Sequence, residues 1–561
     1  MTAREALGAG VALPRPDRPL TAAAGKLTRV DMHPPAGPRS ARWIGLLVAL
    51  SGMAVVTWRA WGDLRPVALV RSDAWQALAT RVHGWDQILR AGVTAPGYAL
   101  ALRGYADLAG HTTLALQLPA LTAALALPAL TYHLAQRTGL HPLTSALAAT
   151  LIATSTTTLT YATRVKPYTL DACITIALLL ASHRTLTRPS ARRWTTLTAT
   201  GLAALAFSAS TVPVTLTALA VPLAASAHHA YRTHRARTLL LPATATTTYL
   251  ATLTTYQHLL PAAHLPTLTR FWVDQGFLPG RGNGLHRVPA LLSGLIGQFL
   301  PITTAGAAHT EAVTVVGALL VSGVLATAWR RQWALLGWLG LPPAIALGLA
   351  LTGHVPFGDG RTDLYLYPCL ALLAVRGLDA AVRQRALLEA AGFGLTATMV
   401  LVAVPACAVS PQPPYPAQGS PALQSRILGG LGPHDGVIVL PGPGYTWALD
   451  SSPAPRLVAN PLSMTGFTPQ LPDPRQLFIG DFVGQSDGGL LYRQAIEQAR
   501  TQIRRLIAWV GAHGGQSIWV VAISAEQISP TIPGILRASG YHLAQKIDVP
   551  TAGAVRWVRT G

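Results

Sequence analysis

From residue 42 onward the chain alternates helix-length apolar runs with short polar connections. A hydrocarbon layer about 30 Å thick is crossed by about 20 apolar residues in a helix. That ruler predicts eleven spans, at residues 42–60, 113–135, 142–161, 167–183, 194–208, 210–227, 238–259, 309–328, 333–352, 363–379 and 387–408. Several are rich in Ala, Thr and Gly, which let helices approach closely in lipid. Basic residues in the connections test the count. Seven precede residue 43, and further clusters fall in "SHRTLTRPSARR", "YRTHRAR", "WRRQW" and "VRGLDAAVRQR". With the N-terminus inside, every cluster lands in the cytoplasm, as the positive-inside rule requires. An odd number of spans then puts the C-terminus outside.

The same topology makes residues 61–112 and 260–308 long external loops. Within the first, "PGYALALRGYADLAG" is apolar but short and carries Arg103 and Asp107, which predicts an interfacial helix. After residue 409 the pattern changes through a proline-rich linker, "SPQPPYPAQGSP", into alternating strand-like and helix-like pieces. "DGVIVLP", "QLFIG" and "SIWVVAIS" read as buried strands, and "LYRQAIEQARTQIRRLIAWVGAHG" as an amphipathic helix. The expected organisation is a cytoplasmic tail over 1–41, a transmembrane domain over 42–409 and a small external α/β domain over 410–561. "PGPGYTW" follows the first strand but lacks a full GxGxxG, so a plain strand-to-helix turn is favoured over a phosphate site.

Composition agrees with a membrane protein: half the residues are hydrophobic, 12% are charged and the mean hydropathy is +0.36. The net charge of +21 comes almost wholly from arginine, since only Lys26, Lys166 and Lys546 are lysines. Because the arginines cluster between apolar runs, a nucleic-acid partner is not expected. Cys173, Cys369 and Cys407 lie in or beside apolar runs without zinc-type spacing, so neither disulfides nor bound zinc are expected. The tail lacks apolar periodicity and the first span lacks a cleavage site, which predicts an uncleaved anchor. His228, His229 and His234 read as part of a solvated basic loop. Trp75, Trp85 and Trp272 read as interfacial anchors, with stacking on a sugar face as the alternative.

Ionisable side chains at membrane depth are costly unless they pair or line a wet cavity. In "YATRVKPYTLDACITIALLL", Arg164, Lys166 and Tyr168 fall at the external end of the third and fourth spans, with Asp171 about one turn inside. They are candidate functional groups; the alternative is that the cations snorkel and Asp171 pairs with one of them. On the same face lie Asp73, in "LVRSDAWQAL", and His354, Asp359, Arg361 and Asp363, in "GHVPFGDGRTDLYLYP". Asp274 is a further carboxylate there. One carboxylate, several cations and tyrosines at a lipid–water boundary suit an anionic, lipid-linked substrate.

The order of these pieces resembles the polyprenyl-phosphate-sugar-dependent GT-C glycosyltransferases, of the family 39 mannosyltransferase type. The pieces are "RSDAW", "APGYALALRGYADLAG", "YATRVKPYTLD", "FWVDQGFLP" and "VPFGDGRTDLYLYP", and the C-terminal domain is similar to one appended to some bacterial members. The resemblance implies an integral plasma-membrane enzyme that moves a sugar from a polyprenyl phosphate to an unidentified glycan, lipid or protein acceptor at the external face, with inversion. It implies Asp73 as catalytic base or as the group that orients the acceptor, with Lys166, Arg361 and Tyr168 at the donor phosphate; Arg164, from its own charge and place beside them, joins the candidates for that phosphate. Asp171, His354, Asp359, Asp363 and Asp274 would support them. The chain departs from the family's pattern at Ala74 and Arg164, where acids are usual, and at Gln117, where an arginine is common. With two acids gone, a divalent metal is possible but not favoured. Other readings are a polytopic transporter or lipid flippase, or a divergent non-catalytic envelope protein; the absence of matching halves argues against the transporter.

Overall fold

The computed structural model describes residues 39–63, 69, 71–92, 95–259, 266–278, 285–299, 307–382, 419–451, 455–480, 490–525, 528–549 and 552–560. Residues 1–38 of the predicted tail, the span at 387–408, Cys407 and most of the proline-rich linker lie outside them. Helices come first: α1 (Arg39–Asp63), α2 (Arg71–Ala77), α3 (Trp85–Ala91), α4 (Pro96–Ala109), α5 (Thr113–Arg137), α6 (Pro142–Thr154), α7 (Thr156–Tyr161) and α8 (Tyr168–Thr187). They continue as α9 (Ala191–Phe207), α10 (Val212–Thr233), α11 (Leu240–Leu259), α12 (Pro266–Asp274), α13 (Val288–Phe299), α14 (Ala307–Trp329), α15 (Trp333–Leu351) and α16 (Tyr367–Val382).

Each predicted span within the described residues falls on helix, and four helices there are long and apolar enough to cross a bilayer on length and composition alone. Two boundaries need correction. The span at 142–161 is broken at Ser155, whose extended backbone ends α6 and whose hydroxyl accepts the Thr158 amide to start α7. The span at 363–379 begins only at Tyr367, because Asp363 is held in the preceding turn. Leu47 and Trp58 on α1, and Val321, Leu325 and Trp329 on α14, stand exposed as a lipid-facing surface would. Helices meet through small residues: a Cβ on Gly323 of α14 would sit 1.8 Å from the Leu373 carbonyl oxygen of α16.

At the arginine-rich end, side chains tie helix ends together. Buried Arg376 donates to the Thr138 carbonyl at 2.9 Å and to Gln332 at 3.1 Å. Asp379, also buried, accepts the His141 amide and the Thr144 hydroxyl. The cluster read from sequence only as a topology signal therefore also locks α5, α6 and α16. His228, His229 and His234 are exposed at the end of α10.

The C-terminal part comprises α17 (Pro421–Gly429), β1 (Gly436–Val439), α18 (Pro441–Ser451), β2 (Arg456–Ala459), β3 (Phe467–Gln470), β4 (Gln476–Phe478), α19 (Leu490–Ala512), β5 (Ser517–Ala522), α20 (Thr531–Ala538), β6 (Tyr541–Val549) and β7 (Ala552–Arg559). A five-stranded sheet runs β4-β1-β5-β7-β6, parallel across β4, β1 and β5 and antiparallel beyond, while β2 and β3 form a separate ribbon. Its three sequence-predicted strands are β1, β4 and β5; β1 and β5 are buried along their whole length, as central parallel strands are. "PGPGYTW" lies inside α18. A Cβ on Gly442 would strike Ile523 and one on Gly444 would strike Phe478, so these glycines serve close helix–sheet packing.

Candidate active site

Four segments converge at the end of the bundle opposite Arg376. The first is α2, which begins at Arg71 and carries Asp73 in its opening turn. The second is the bend 162–167 between α7 and α8, where the chain reverses before Pro167 starts the next helix. The Gly-rich turn 358–363 is the third, and α12 is the fourth.

Asp73 and Arg164 are both buried and form an ion pair, Nε to Oδ2 at 2.5 Å. Arg164 also reaches Ser72 Oγ at 3.4 Å, and its guanidinium lies 5.8 Å from the Tyr161 ring centre. Burial works against the Arg164 charge, but the Asp73 carboxylate outweighs it and raises the guanidinium pKa. The other carboxylate oxygen, Asp73 Oδ1, is buried and makes no hydrogen bond among the described residues.

Lys166 is buried, with Nζ 4.1 Å from the centre of the Trp75 ring. Burial pushes its pKa down to about 7; Asp73 pulls it back up, while Arg164 and Arg361 push it further down. Arg361 completes the set of cations. It ion-pairs with Asp359 and stacks 4.8 Å from the Trp272 ring centre. Each of these two cations is thus capped by a tryptophan from a separate short helix, α2 and α12. Burial raises Asp359 to about 6 against the pull of Arg361.

Asp363 builds the turn that presents Arg361. Its Oδ2 accepts the Gly358 amide at 2.7 Å and the Gly360 amide at 3.4 Å. Gly358 has φ +87°, a conformation L side chains rarely adopt, and it rests against Leu291 of α13. Burial, opposed by the Gly358 amide, lifts the Asp363 carboxyl to about 7.

Tyr168 opens α8, packed edge-on against Tyr161 at 5.0 Å and within electrostatic reach of Arg361 and Asp73. Asp171, one turn on, is buried, and Ser208 is the polar side chain beside it. It does not pair with Arg164, which Asp73 has taken. The structure therefore brings Asp73, Arg164, Lys166, Tyr168, Asp171, Asp359, Arg361 and Asp363 to one mouth. His354 and Asp274 stand outside this cluster. His354 is exposed and hydrogen-bonds Thr352 at 3.0 Å, and Asp274 pairs with Arg270 one turn back at 2.9 Å. Trp85 is exposed, and the rings over the two cations are those of Trp75 and Trp272.

Tyr98 of α4 was not singled out by sequence. It is buried with its hydroxyl unbonded among the described residues, and its pKa is raised by burial and then by Asp73 and Asp171. Only its place in "APGYALALRG" pointed to it. The departures from family pattern also gain physical content. Ala74 is fully buried in an apolar core, where an acid would need a partner of its own, and Gln117 is buried with an unbonded Oε1. Among the described residues no three His, Cys, Asp or Glu side chains gather as a metal site would.

No protein-family model matches the sequence, and no curated protein matches it either. The fold does have neighbours. The crystal structure of ArnT from Cupriavidus metallidurans in the apo state superposes with a TM-score of 0.53 at 13% identity, covering 92% of this chain and 98% of that one. The fold is GT-C. The same ArnT bound to undecaprenyl phosphate superposes with a TM-score of 0.38 over the same shares. At this identity the likeness is one of architecture: apolar helices with a small sheet domain at the C-terminus.

Proposed function

We propose that the protein is a multi-pass membrane glycosyltransferase that takes a sugar from a polyprenyl-phosphate carrier and gives it to an acceptor at the external face, inverting the anomeric centre. The observation that carries this is the gathering of Lys166, Arg361 and the Asp73–Arg164 pair at one end of the bundle, opposite the arginine-tied helix ends. GT-C architecture supports the same reading. ArnT, the fold neighbour, is known bound to undecaprenyl phosphate. The family 39 likeness favours a hexose of the mannose type.

In the mechanism, an acceptor hydroxyl attacks the anomeric carbon as the bond from that carbon to the phosphate oxygen breaks. Asp73 takes the hydroxyl proton through Oδ1, the oxygen left free by Arg164. Phosphate leaves as a monoester, and charge grows on its oxygens. Lys166 and Arg361 stabilise that charge more in the transition state than in the ground state, and Tyr168 donates a hydrogen bond. Asp359 and Asp363 hold the Arg361 turn, so their role is positional.

Reconstitution in proteoliposomes with a radiolabelled polyprenyl-phosphate sugar tests this. Asp73→Asn and Arg361→Ala should each lower transfer by about 100-fold or more, the usual scale for a lost base or charge-stabilising donor. Normal transfer by both variants would overturn the assignment; lipid-linked sugar crossing the bilayer without transfer would make the protein a flippase.

A further inference from the structure

The C-terminal domain shares its core with the first external loop. Buried Ala74, Leu78, Tyr98 and Val165 belong to one apolar cluster with Tyr445 and Leu457 of that domain. Helix α18 packs directly on α2, the seven-residue helix that bears Asp73 and Trp75. A helix that short has no independent stability and takes its position from what it packs against.

Hydrogen bonds join the domain to both external loops. Thr446 of α18 donates to the Leu69 carbonyl at 3.4 Å, just before α2. The Leu457 amide of β2 donates to Gln87 Oε1 on α3 at 2.6 Å. On the other side Thr267 of α12 donates to the Ser463 carbonyl at 3.0 Å. That helix carries Trp272, which caps Arg361, and α2 carries Trp75, which caps Lys166.

We propose that the C-terminal domain is a clamp of the active site: it grips α2 and α12 together and so positions Asp73, Trp75 and Trp272 over the two cations. Lys166 and Arg361 are carried by turns that end bundle helices, and the clamp sets the base and the indoles against them. Thr446, bonded just before α2, and Thr267, on α12, are its positioning residues. The kinetic part of this inference rests on the glycosyltransferase reading; the mechanical part does not.

The test uses the full chain carrying Thr446→Ala with Thr267→Ala, beside the conservative pair Thr446→Ser with Thr267→Ser. The conservative pair keeps donors for the Leu69 and Ser463 carbonyls. In the alanine pair, amide hydrogen exchange over residues 71–77 should quicken about tenfold while that over 168–187 stays unchanged. Turnover should fall about tenfold or more with the donor KM within about threefold, because misplacing a catalytic group by an ångström costs rate before it costs binding. The conservative pair should restore both measurements. Unchanged exchange over 71–77, or equal loss of protection over 168–187, would overturn the clamp. Faster exchange over 71–77 with no transfer by any form, wild type included, would uphold the mechanical coupling and sink the transferase reading.

Discussion

At the residue scale the Asp73–Arg164 pair dominates the electrostatics of the mouth. Both groups are buried, so removing one leaves the other without compensation, a loss of about 3–5 kcal/mol in buried pairs. Arg164→Ala should therefore unfold at lower denaturant or temperature than wild type, and Asp73→Asn combined with Arg164→Ala should recover part of the loss. A double-mutant cycle on the purified protein measures the coupling; additive effects would mean that the pair does not act as a unit. Lys166 makes a second prediction. Burial first, then Arg164 and Arg361, hold its pKa at about 7 instead of the ordinary 10.5. A bound phosphate favours the charged ammonium, so above pH 7 binding must take up a proton. Affinity for undecaprenyl phosphate should fall by up to about tenfold per pH unit from pH 7 to 9, and Lys166→Arg, always protonated, should flatten the profile. A flat wild-type profile would remove Lys166 from the phosphate site.

At the scale of elements, helix positions were far more legible than the turns that place the chemistry. Apolar run length located the spans from α1 to α16 because burial in lipid leaves a one-dimensional signature. It missed the break at Ser155, since a single extended residue inside an apolar run leaves hydropathy unchanged. Asp73, Lys166 and Arg361 were readable as charges in costly places, whereas Tyr98 was not, because a buried tyrosine on an amphipathic helix looks like core. Nor did sequence reveal that Asp363 is scaffolding for the Arg361 turn. That role is testable through Gly358, whose φ is +87° and whose Cβ would lie 2.6 Å from the Leu291 carbonyl oxygen. Gly353 has a similar φ of +80° with nothing within 4 Å. Gly353→Ala should cost only the backbone strain, about 1–3 kcal/mol, while Gly358→Ala should cost more and also depress transfer. Equal stability and activity for the two variants would show that the Gly358 turn is not braced against α13.

For the whole molecule, the two ends of the bundle make opposite demands and should face opposite compartments. Helix α8 separates them: Tyr168 opens it in the cluster, Arg184 lies in its last turn, and its 20 residues rise about 30 Å, one hydrocarbon thickness. The arginine-rich connection 188–193 is held at the far end, where Arg193 donates to the Arg184 and Arg188 carbonyls. The positive-inside rule predicts that end to be cytoplasmic, which would put the cluster and the C-terminal domain outside. A carrier sugar would then meet its acceptor beyond the membrane. Two single-cysteine forms, built with Cys173, Cys369 and Cys407 replaced by alanine, decide the orientation. Arg188→Cys sits on the connection between α8 and α9, and Lys546→Cys on strand β6, where the side chain is part-exposed. In intact spheroplasts a membrane-impermeant maleimide should label Lys546→Cys and leave Arg188→Cys untouched until the membrane is opened. The reverse pattern would turn the cluster toward the cytoplasm, and transfer to an external acceptor would have to be given up.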